Sequence, residues 1–392
     1  MEKTQEKRLV GSIPGFAITV AIGFVLYFFL NLIGGKGALT YNAIIENITR
    51  SPGKQVAWLF MNFTEPQFYA GIFSGIAVIL GGIVAWRLAL RNSKFAGFDI
   101  CYGSSSLFPW VLASQLLSAG LSIFVFRYIN LFNLPDTTWV ATFVSIVGAP
   151  PSVILLYGGS MATLLTASIL GGLLCAPVAT FISTAIVGPL GAPGVVSNVL
   201  AMAVTGTIIC FVCKALPWIK AVPVKAHRQN AAAEENVYSA SWFVRRCLAE
   251  FSEAQFYGNE VVGVFVIVGA VIDWVVSAEM PVYGSGLLPG ILLSQFIGAA
   301  VGVLLYTNKF ENGGWYATYV PVVAVGPACV MMFGGSIPVA VFAGAMGGIL
   351  GGPVAEFFSA KLPEGVHGTN ANVMSMALCT IVVAMVMRYI GF

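Results

Sequence analysis

The segment Phe-Thr-Glu-Pro-Gln-Phe-Tyr at residues 63–69 returns as Phe-Ser-Glu-Ala-Gln-Phe-Tyr at residues 251–257. Further matches follow outward from this pair, in the same order in both halves of the chain. They are Tyr102-Gly-Ser with Tyr283-Gly-Ser, Ser114-Gln115 with Ser294-Gln295, Trp139 with Trp315, Gly158-Gly159-Ser160 with Gly334-Gly335-Ser336, Pro177 with Pro353, and Asn198 with Asn372. So many ordered matches indicate an internal duplication, in which the second half is a degenerate copy of the first.

The composition is that of a membrane protein. Hydrophobic residues make up 58% of the chain and charged residues only 9%, against roughly 25% charged residues in soluble domains. From Thr137 to Cys213 there is no Asp, Glu, Lys or Arg, a run long enough for about three spans of roughly 20 residues each. The pattern lacks the period-2 alternation of a membrane barrel, and in hydrocarbon each segment must satisfy its own backbone. We therefore predict an all-α polytopic membrane protein.

The apolar segments predict about 11 transmembrane segments, arranged as one helix followed by two sets of five. We divide the chain into an N-terminal helix with its connecting segment (1–62), repeat 1 (63–213), a basic linker (214–250) and repeat 2 (251–392). The first apolar stretch is longer than a signal-peptide core and no A-x-A-like cleavage site follows it, so we expect it to be retained. We expect a multi-pass protein of the cell (inner or plasma) membrane.

The distribution of basic residues predicts how the two repeats are oriented. Lys and Arg concentrate at residues 3–8, at 87–94 and in the linker, and one threading places all three groups in the cytoplasm. With an odd number of spans in each repeat, the two copies face opposite ways. This inverted duplication is the plan on which many secondary transporters build two related gates around a central site. A miscounted hairpin would instead make the copies parallel.

The two Gly-Gly-Ser turns are the first candidate binding elements. Ser160 and Ser336 each precede an apolar helix, so each is an expected N-cap that leaves backbone N–H groups free. Proline residues just upstream, in Gly148-Ala-Pro-Pro and Gly326-Pro, favour broken or re-entrant helices. If the turns reach mid-depth, Gly158, Gly159, Ser160, Gly334, Gly335 and Ser336 would present two positive helix ends to a solute. The alternative is a plain interhelical turn at the membrane surface.

Polar side chains inside apolar runs are the second set of binding candidates. Asn198 and Asn372 each follow a Gly-x-x-Gly, and Gln115 and Gln295 lie within helices that open with proline. An amide in hydrocarbon costs free energy unless it has a partner, so these side chains should face the bundle or a cavity. Hydrogen bonding between helices is the alternative. Glu65 and Glu253, by contrast, are interpreted as caps at helix starts.

Three residues that differ between the copies are candidates for coupling to an ion. Glu356 and Asp273 are carboxylates within apolar segments, and His367 stands where repeat 1 has Pro193. An ionisable residue in such a segment is a functional hypothesis by default, and a histidine can carry a proton near neutral pH. The alternative for both carboxylates is a place at the membrane interface, because each lies near the end of its helix.

The sequence predicts transport and gives no support to catalysis. It has no Walker loop, H-E-x-x-H or G-x-S-x-G motif and no cluster of metal ligands, so we expect no enzyme activity, cofactor or metal. We predict a secondary active transporter that moves a small polar or monoanionic organic solute by alternating access, coupled to Na⁺ or H⁺. The alternatives are a passive small-solute channel, a phosphotransferase-system permease and a non-transporting membrane subunit. The expected partners are a solute and the bilayer, with a homodimer as a further option, and no nucleic acid.

Overall fold

The computed structural model describes residues 2–223 and 236–392 of the chain. The middle of the linker, with Lys225 and Arg228, lies outside the described residues. The described chain is helical, without a named strand. Its α-helices are α1 Glu2–Leu32, α2 Tyr41–Ile45, α3 Pro52–Asn62, α4 Ile72–Leu90, α5 Phe108–Gly120, α6 Ala149–Tyr157, α7 Met161–Ile182, α8 Val195–Ala215, α9 Ala240–Glu250, α10 Glu260–Val276, α11 Leu288–Tyr306, α12 Gly326–Phe333, α13 Ile337–Ser359 and α14 Thr369–Ile390.

Eight helical segments in the described ranges are long and apolar enough to cross a membrane. They are Ser12–Leu32, Ile72–Leu90, Ser105–Val125, Met161–Val187, Val195–Ala215, Leu288–Gly313, Ile337–Ser359 and Thr369–Ile390. Two shorter apolar helices, Thr142–Tyr157 and Pro321–Phe333, accompany them. This is the architecture of a polytopic helical membrane protein, as the composition predicts.

The same order of helices occurs in both halves of the chain. Helices α3 to α8 correspond one by one to α9 to α14. The short helices α6 and α12 occupy matched positions in this order, and each precedes a Gly-Gly-Ser turn. Helix α6 begins directly after Gly148, with prolines in its first turn, and α12 begins at Gly326 after one π-helical turn. Because proline cannot donate to the preceding turn, the regular helix is interrupted where the sequence predicts.

Helices α4 and α10 pack against each other in antiparallel directions. A side chain on Gly81 would meet Phe265 at 2.7 Å, and one on Gly269 would meet Ala77 at 2.7 Å. A later position on α4 thus meets an earlier position on α10. At the start of α4, the backbone N–H groups of Phe73 and Ser74 donate to the Asp273 carboxylate at 2.8 and 2.9 Å. Small residues at these crossings let the two backbones approach closely.

A second close seam joins α11 and α13. A side chain on Gly344 would meet the backbone nitrogen of Gly298 at 3.1 Å, and one on Gly348 would meet the carbonyl oxygen of Gly298 at 2.7 Å. The small-residue stripe Ala340, Gly344, Gly348, Gly352 in α13 is therefore a packing seam, as its spacing indicates.

Candidate functional site

Two glutamines from the matched heptapeptides bind each other at the centre of the molecule. The Gln67 side-chain nitrogen donates to the Phe251 carbonyl at 2.7 Å and to the Gln255 side-chain oxygen at 2.8 Å. Gln255 donates in return to the Phe63 carbonyl at 2.7 Å and to the Gln67 side-chain oxygen at 2.9 Å. Each residue thus makes the contact that its counterpart makes. Such reciprocity is the mark of a two-fold relation between contacting surfaces.

The candidate residues Gln115 and Gln295 belong to the same two-fold network. The Tyr257 hydroxyl donates to the Gln115 side-chain oxygen at 2.7 Å, and the Tyr69 hydroxyl donates to that of Gln295 at 2.7 Å. Gln115 then donates to the Gln255 carbonyl and Gln295 to the Gln67 carbonyl, at 3.0 and 3.1 Å. Both side-chain amides are buried and form hydrogen bonds between the repeats. This corresponds to the alternative in which these amides join helices.

A cavity of about 940 Å³ lies between the two repeats. Most of its wall consists of residues at matched positions of the two copies. These pairs are Glu65 with Glu253, Phe68 with Phe256, Tyr102 with Tyr283, Trp139 with Trp315, Phe143 with Tyr319, Val147 with Val323, Asn198 with Asn372, Val199 with Val373, and Met202 with Met376. The cavity is large enough for a small organic molecule, and its wall is mainly aromatic and apolar.

Glu65 is a buried carboxylate in this wall, with 2% of its surface exposed. The Trp139 indole nitrogen donates to its two oxygens at 3.1 and 2.8 Å, and the Tyr283 hydroxyl donates at 3.3 Å. Glu65 lies in the first turn of a short 3₁₀ helix, where its position predicts a carboxylate. The hydrogen bonds from Trp139 and Tyr283 are contacts that the expected capping role does not include.

Glu253 occupies the matched position but has a different neighbour. The Arg246 guanidinium contacts its carboxylate and lies 3.9 Å from that of Glu250. The matched positions in α3 are held by the neutral residues Trp58 and Asn62, and there the Trp58 indole donates to the Thr142 hydroxyl, which donates to Asn62, both at 2.8 Å. The two halves thus differ in the charged side chains beside otherwise matched walls.

Asn198, Asn372 and His367 also line the cavity. The Asn198 side-chain oxygen is buried and has no hydrogen-bond partner among the described residues. Asn372 lies beside the Tyr319 hydroxyl. His367 Nδ1 contacts the Thr369 hydroxyl at 2.9 Å, and burial lowers the pKa of His367 to about 4. The imidazole is therefore neutral near neutral pH.

The two Gly-Gly-Ser turns lie outside this cavity wall. Gly159 packs against Trp110 near the start of α5, whereas Gly335 packs against Leu287 near the start of α11. Ser160 caps α7 by accepting from the Thr163 backbone at 3.1 Å, but Ser336 makes no such bond. The structure does not bring these turns together with the two asparagines, and their role in binding stays a prediction.

The other two ion-coupling candidates also have local partners away from the cavity. Asp273 is buried and accepts from the first backbone N–H groups of α4, which favour a carboxylate. Glu356 accepts from Lys309 at 2.8 and 3.0 Å and from the Tyr316 hydroxyl at 2.8 Å, with 56% of its side chain exposed. These contacts do not test ion coupling or a place at the membrane interface, so both roles stay predictions for the two carboxylates.

No protein-family model matches this chain, and no curated protein matches it. The site is therefore defined by its own geometry. Among the wall residues, Asn198, Asn372 and His367 are predicted from the sequence, whereas no binding role is predicted for Glu65 or the aromatic pairs. One signal was available, because Glu65, Trp139 and Tyr283 each have an identical residue at the matched position.

Proposed function

We propose that the chain is a secondary transporter, in which a small organic solute binds in the cavity between two inverted repeats. The observation that carries the proposal is the composition of the cavity wall, to which both copies contribute residues at the same positions. Transporters built from inverted repeats place their solute site at the repeat interface. Alternating access would then follow from movement of one repeat-derived bundle against the other.

The packing of matched helices supports the inverted arrangement. Helices α4 and α10 correspond in sequence and run antiparallel, and the reciprocal Gln67–Gln255 contact lies beside them. If both helices cross the bilayer, a two-fold axis that exchanges them lies in the membrane plane. The eight long spans, the 17-residue helix α10 and the two short apolar helices then correspond to the 11 expected segments.

A reporter experiment tests this topology. A reporter inserted within 225–235 should read cytoplasmic, and one fused after Phe392 should read extracytoplasmic. Both reporters on the same side would refute the inverted arrangement.

Transport is tested with purified protein in liposomes. A thermal-shift screen of small metabolites, with and without sodium, identifies a solute, because a ligand of the folded state raises its stability. Uptake of that solute is then followed under an imposed proton or sodium gradient. Met376→Trp fills the cavity and should abolish uptake, whereas Met385→Trp on the same helix, at a position that is 66% exposed, should not.

The outcomes separate the alternatives. Accumulation against a gradient supports secondary transport, whereas equilibration without accumulation indicates a passive channel. Arrival of the solute in phosphorylated form, dependent on a phosphocarrier partner, indicates a phosphotransferase permease. If no solute stabilises the protein and none is moved, the chain is a non-transporting subunit and the proposal fails.

A further inference from the structure

The cavity wall contains two matched aromatic half-sites. The first half-site surrounds Glu65 with Tyr41, Trp139, Tyr283 and Phe68. The rings of Tyr41 and Tyr283 meet edge to face, with centroids 5.7 Å apart. Trp139 and Tyr283 both donate to the carboxylate, so the carboxylate and the ring surfaces are held close together.

The second half-site consists of Glu253, Phe256, Tyr102, Trp315 and Tyr319, which line the same cavity. The Tyr102 hydroxyl donates to the Glu253 backbone carbonyl at 3.3 Å, the rings of Tyr102 and Trp315 meet edge to face with centroids 5.8 Å apart, and Tyr319 lies 6.2 Å from Trp315. Tyr283 of repeat 2 lies in the half-site of Glu65 from repeat 1, and Tyr102 of repeat 1 lies in the half-site of Glu253 from repeat 2. Both half-sites are therefore complete only when the two repeats are together.

The half-sites differ in where a cationic side chain lies. Glu253 contacts the Arg246 guanidinium, which also lies 3.9 Å from the Glu250 carboxylate. Glu65 has neutral hydrogen-bond donors only, and no Lys or Arg is among the described residues that line the cavity. A buried carboxylate without a cation is costly, so its charge must be removed by a proton or balanced by a bound cation.

The free hydrogen-bonding groups of the wall point to the same kind of ligand. The Asn198 side-chain oxygen is an unpartnered acceptor, and the Glu65 carboxylate can accept more bonds than the three it receives. Rings beside a carboxylate favour an organic ammonium group, because the faces of aromatic rings attract cations.

We propose that the Glu65 half-site binds the positively charged group of an organic cation. This inference rests on the proposed function in one respect, namely that the bound cation is the transported solute. Binding itself can be measured without transport. It replaces the polar or monoanionic solute expected from the sequence with a monovalent ammonium compound. The remaining volume of the cavity accommodates the rest of the molecule against the methionine and aromatic wall.

Binding is tested on the full-length protein in detergent by thermal shift and by the fluorescence of its tryptophans. The probes are tetramethylammonium, choline and benzyltrimethylammonium. The matched controls for choline are 3,3-dimethyl-1-butanol, a neutral isostere, and 3,3-dimethylbutanoate, an anion of similar shape. We expect at least one of the ammonium probes to raise the melting temperature, and both controls to leave it unchanged at the same concentration.

Two pairs of variants locate the binding site. Glu65→Gln should weaken binding of the ammonium probe by roughly tenfold or more. Glu253→Gln should change it by less than about threefold, because the Glu253 carboxylate already contacts Arg246. Trp139→Leu should weaken binding in the same way, and Trp315→Leu serves as its matched control. The second pair keeps the test valid if Glu65→Gln does not fold.

Every outcome decides the inference. Equal stabilisation by the neutral isostere, or equal loss of binding in the two members of a variant pair, overturns it. If no ammonium probe binds while another solute is taken up into liposomes, the cation inference fails and the transport proposal stands. If ammonium binding follows the expected pattern without any uptake, the half-site is confirmed and the transport proposal fails.

Discussion

The reciprocal pair Gln67 and Gln255 offers a direct test of the two-fold interface between the repeats. Replacing Gln67 by leucine, which is similar in volume, removes its two donated hydrogen bonds and the one it accepts from Gln255. Gln255→Leu removes the equivalent three. At about 0.6 to 1.5 kcal/mol for each buried bond, the three bonds lost in either single change should cost about 2 to 4.5 kcal/mol of unfolding free energy.

The double variant is the informative one. Together the four bonds of the pair are lost, whereas the two single changes added would count six, because the two Gln67–Gln255 bonds are counted twice. The double variant should therefore cost about 1 to 3 kcal/mol less than the sum of the single variants. Two facing leucines also leave no unsatisfied amide at this position.

Reversible unfolding in mixed micelles, followed by circular dichroism during a titration with sodium dodecyl sulfate, measures these differences. The wild type and all three variants must be compared under one lipid and detergent composition. Additivity of the single effects within about 0.5 kcal/mol would refute the reasoning.

Three further predictions concern residues away from this pair. Gly344→Ala should destabilise the protein by about 1 to 3 kcal/mol, because the new methyl group meets the backbone of α11. Gly120→Ala, whose methyl group meets nothing within 4 Å, should not destabilise it. Equal effects of the two variants in thermal unfolding would contradict close packing of α13 on α11 at Gly344. Glu356→Gln should change stability by no more than about 1 kcal/mol and leave the pH dependence of uptake unchanged, since its ion pair with Lys309 is exposed; a shifted uptake profile would restore it as a coupling residue. Burial lowers the pKa of His367 to about 4, so between about pH 6.5 and 4 the unfolded chain binds a proton that the folded protein does not. The free energy of unfolding should therefore fall as the pH drops from about 6.5 to 4, by at most about 1.4 kcal/mol per pH unit. His367→Gln should reduce this pH dependence, and an unchanged pH dependence would assign it to other groups.

The fold was predictable to the extent that it depends on local sequence. Apolar run lengths predict the long spans, and the Gly-Pro interruptions at Gly148 and Gly326 predict where α6 and α12 begin. The four-residue spacing around Gly344 predicts a packing seam. Each of these patterns depends on residues within one helix or turn, so it can be recognised in the sequence without knowledge of the contacts between helices.

The site was less predictable because its contacts join distant parts of the chain. A carboxylate just before an apolar helix is typical of a cap, but the donors to Glu65 are Trp139 and Tyr283, one of them in the other repeat. In the same way, the carboxylate that caps α4 is Asp273 of the second repeat. Sequence spacing contains no information on such pairs until the two-fold relation between the repeats is known.

The charge difference between the copies indicates how a duplicated protein can become directional. A strictly symmetric pair of half-sites would have equal affinities when open to either side. Here Trp58 and Asn62 of α3 are replaced by Arg246 and Glu250 of α9, a change that adds no net charge to the buried region but places a guanidinium against Glu253. If a cation binds as we propose, this guanidinium repels it at Glu253, whereas no described Lys or Arg lines the cavity at Glu65. If the two half-sites open to opposite sides of the membrane, this difference gives inward-open and outward-open states unequal affinities for the same solute.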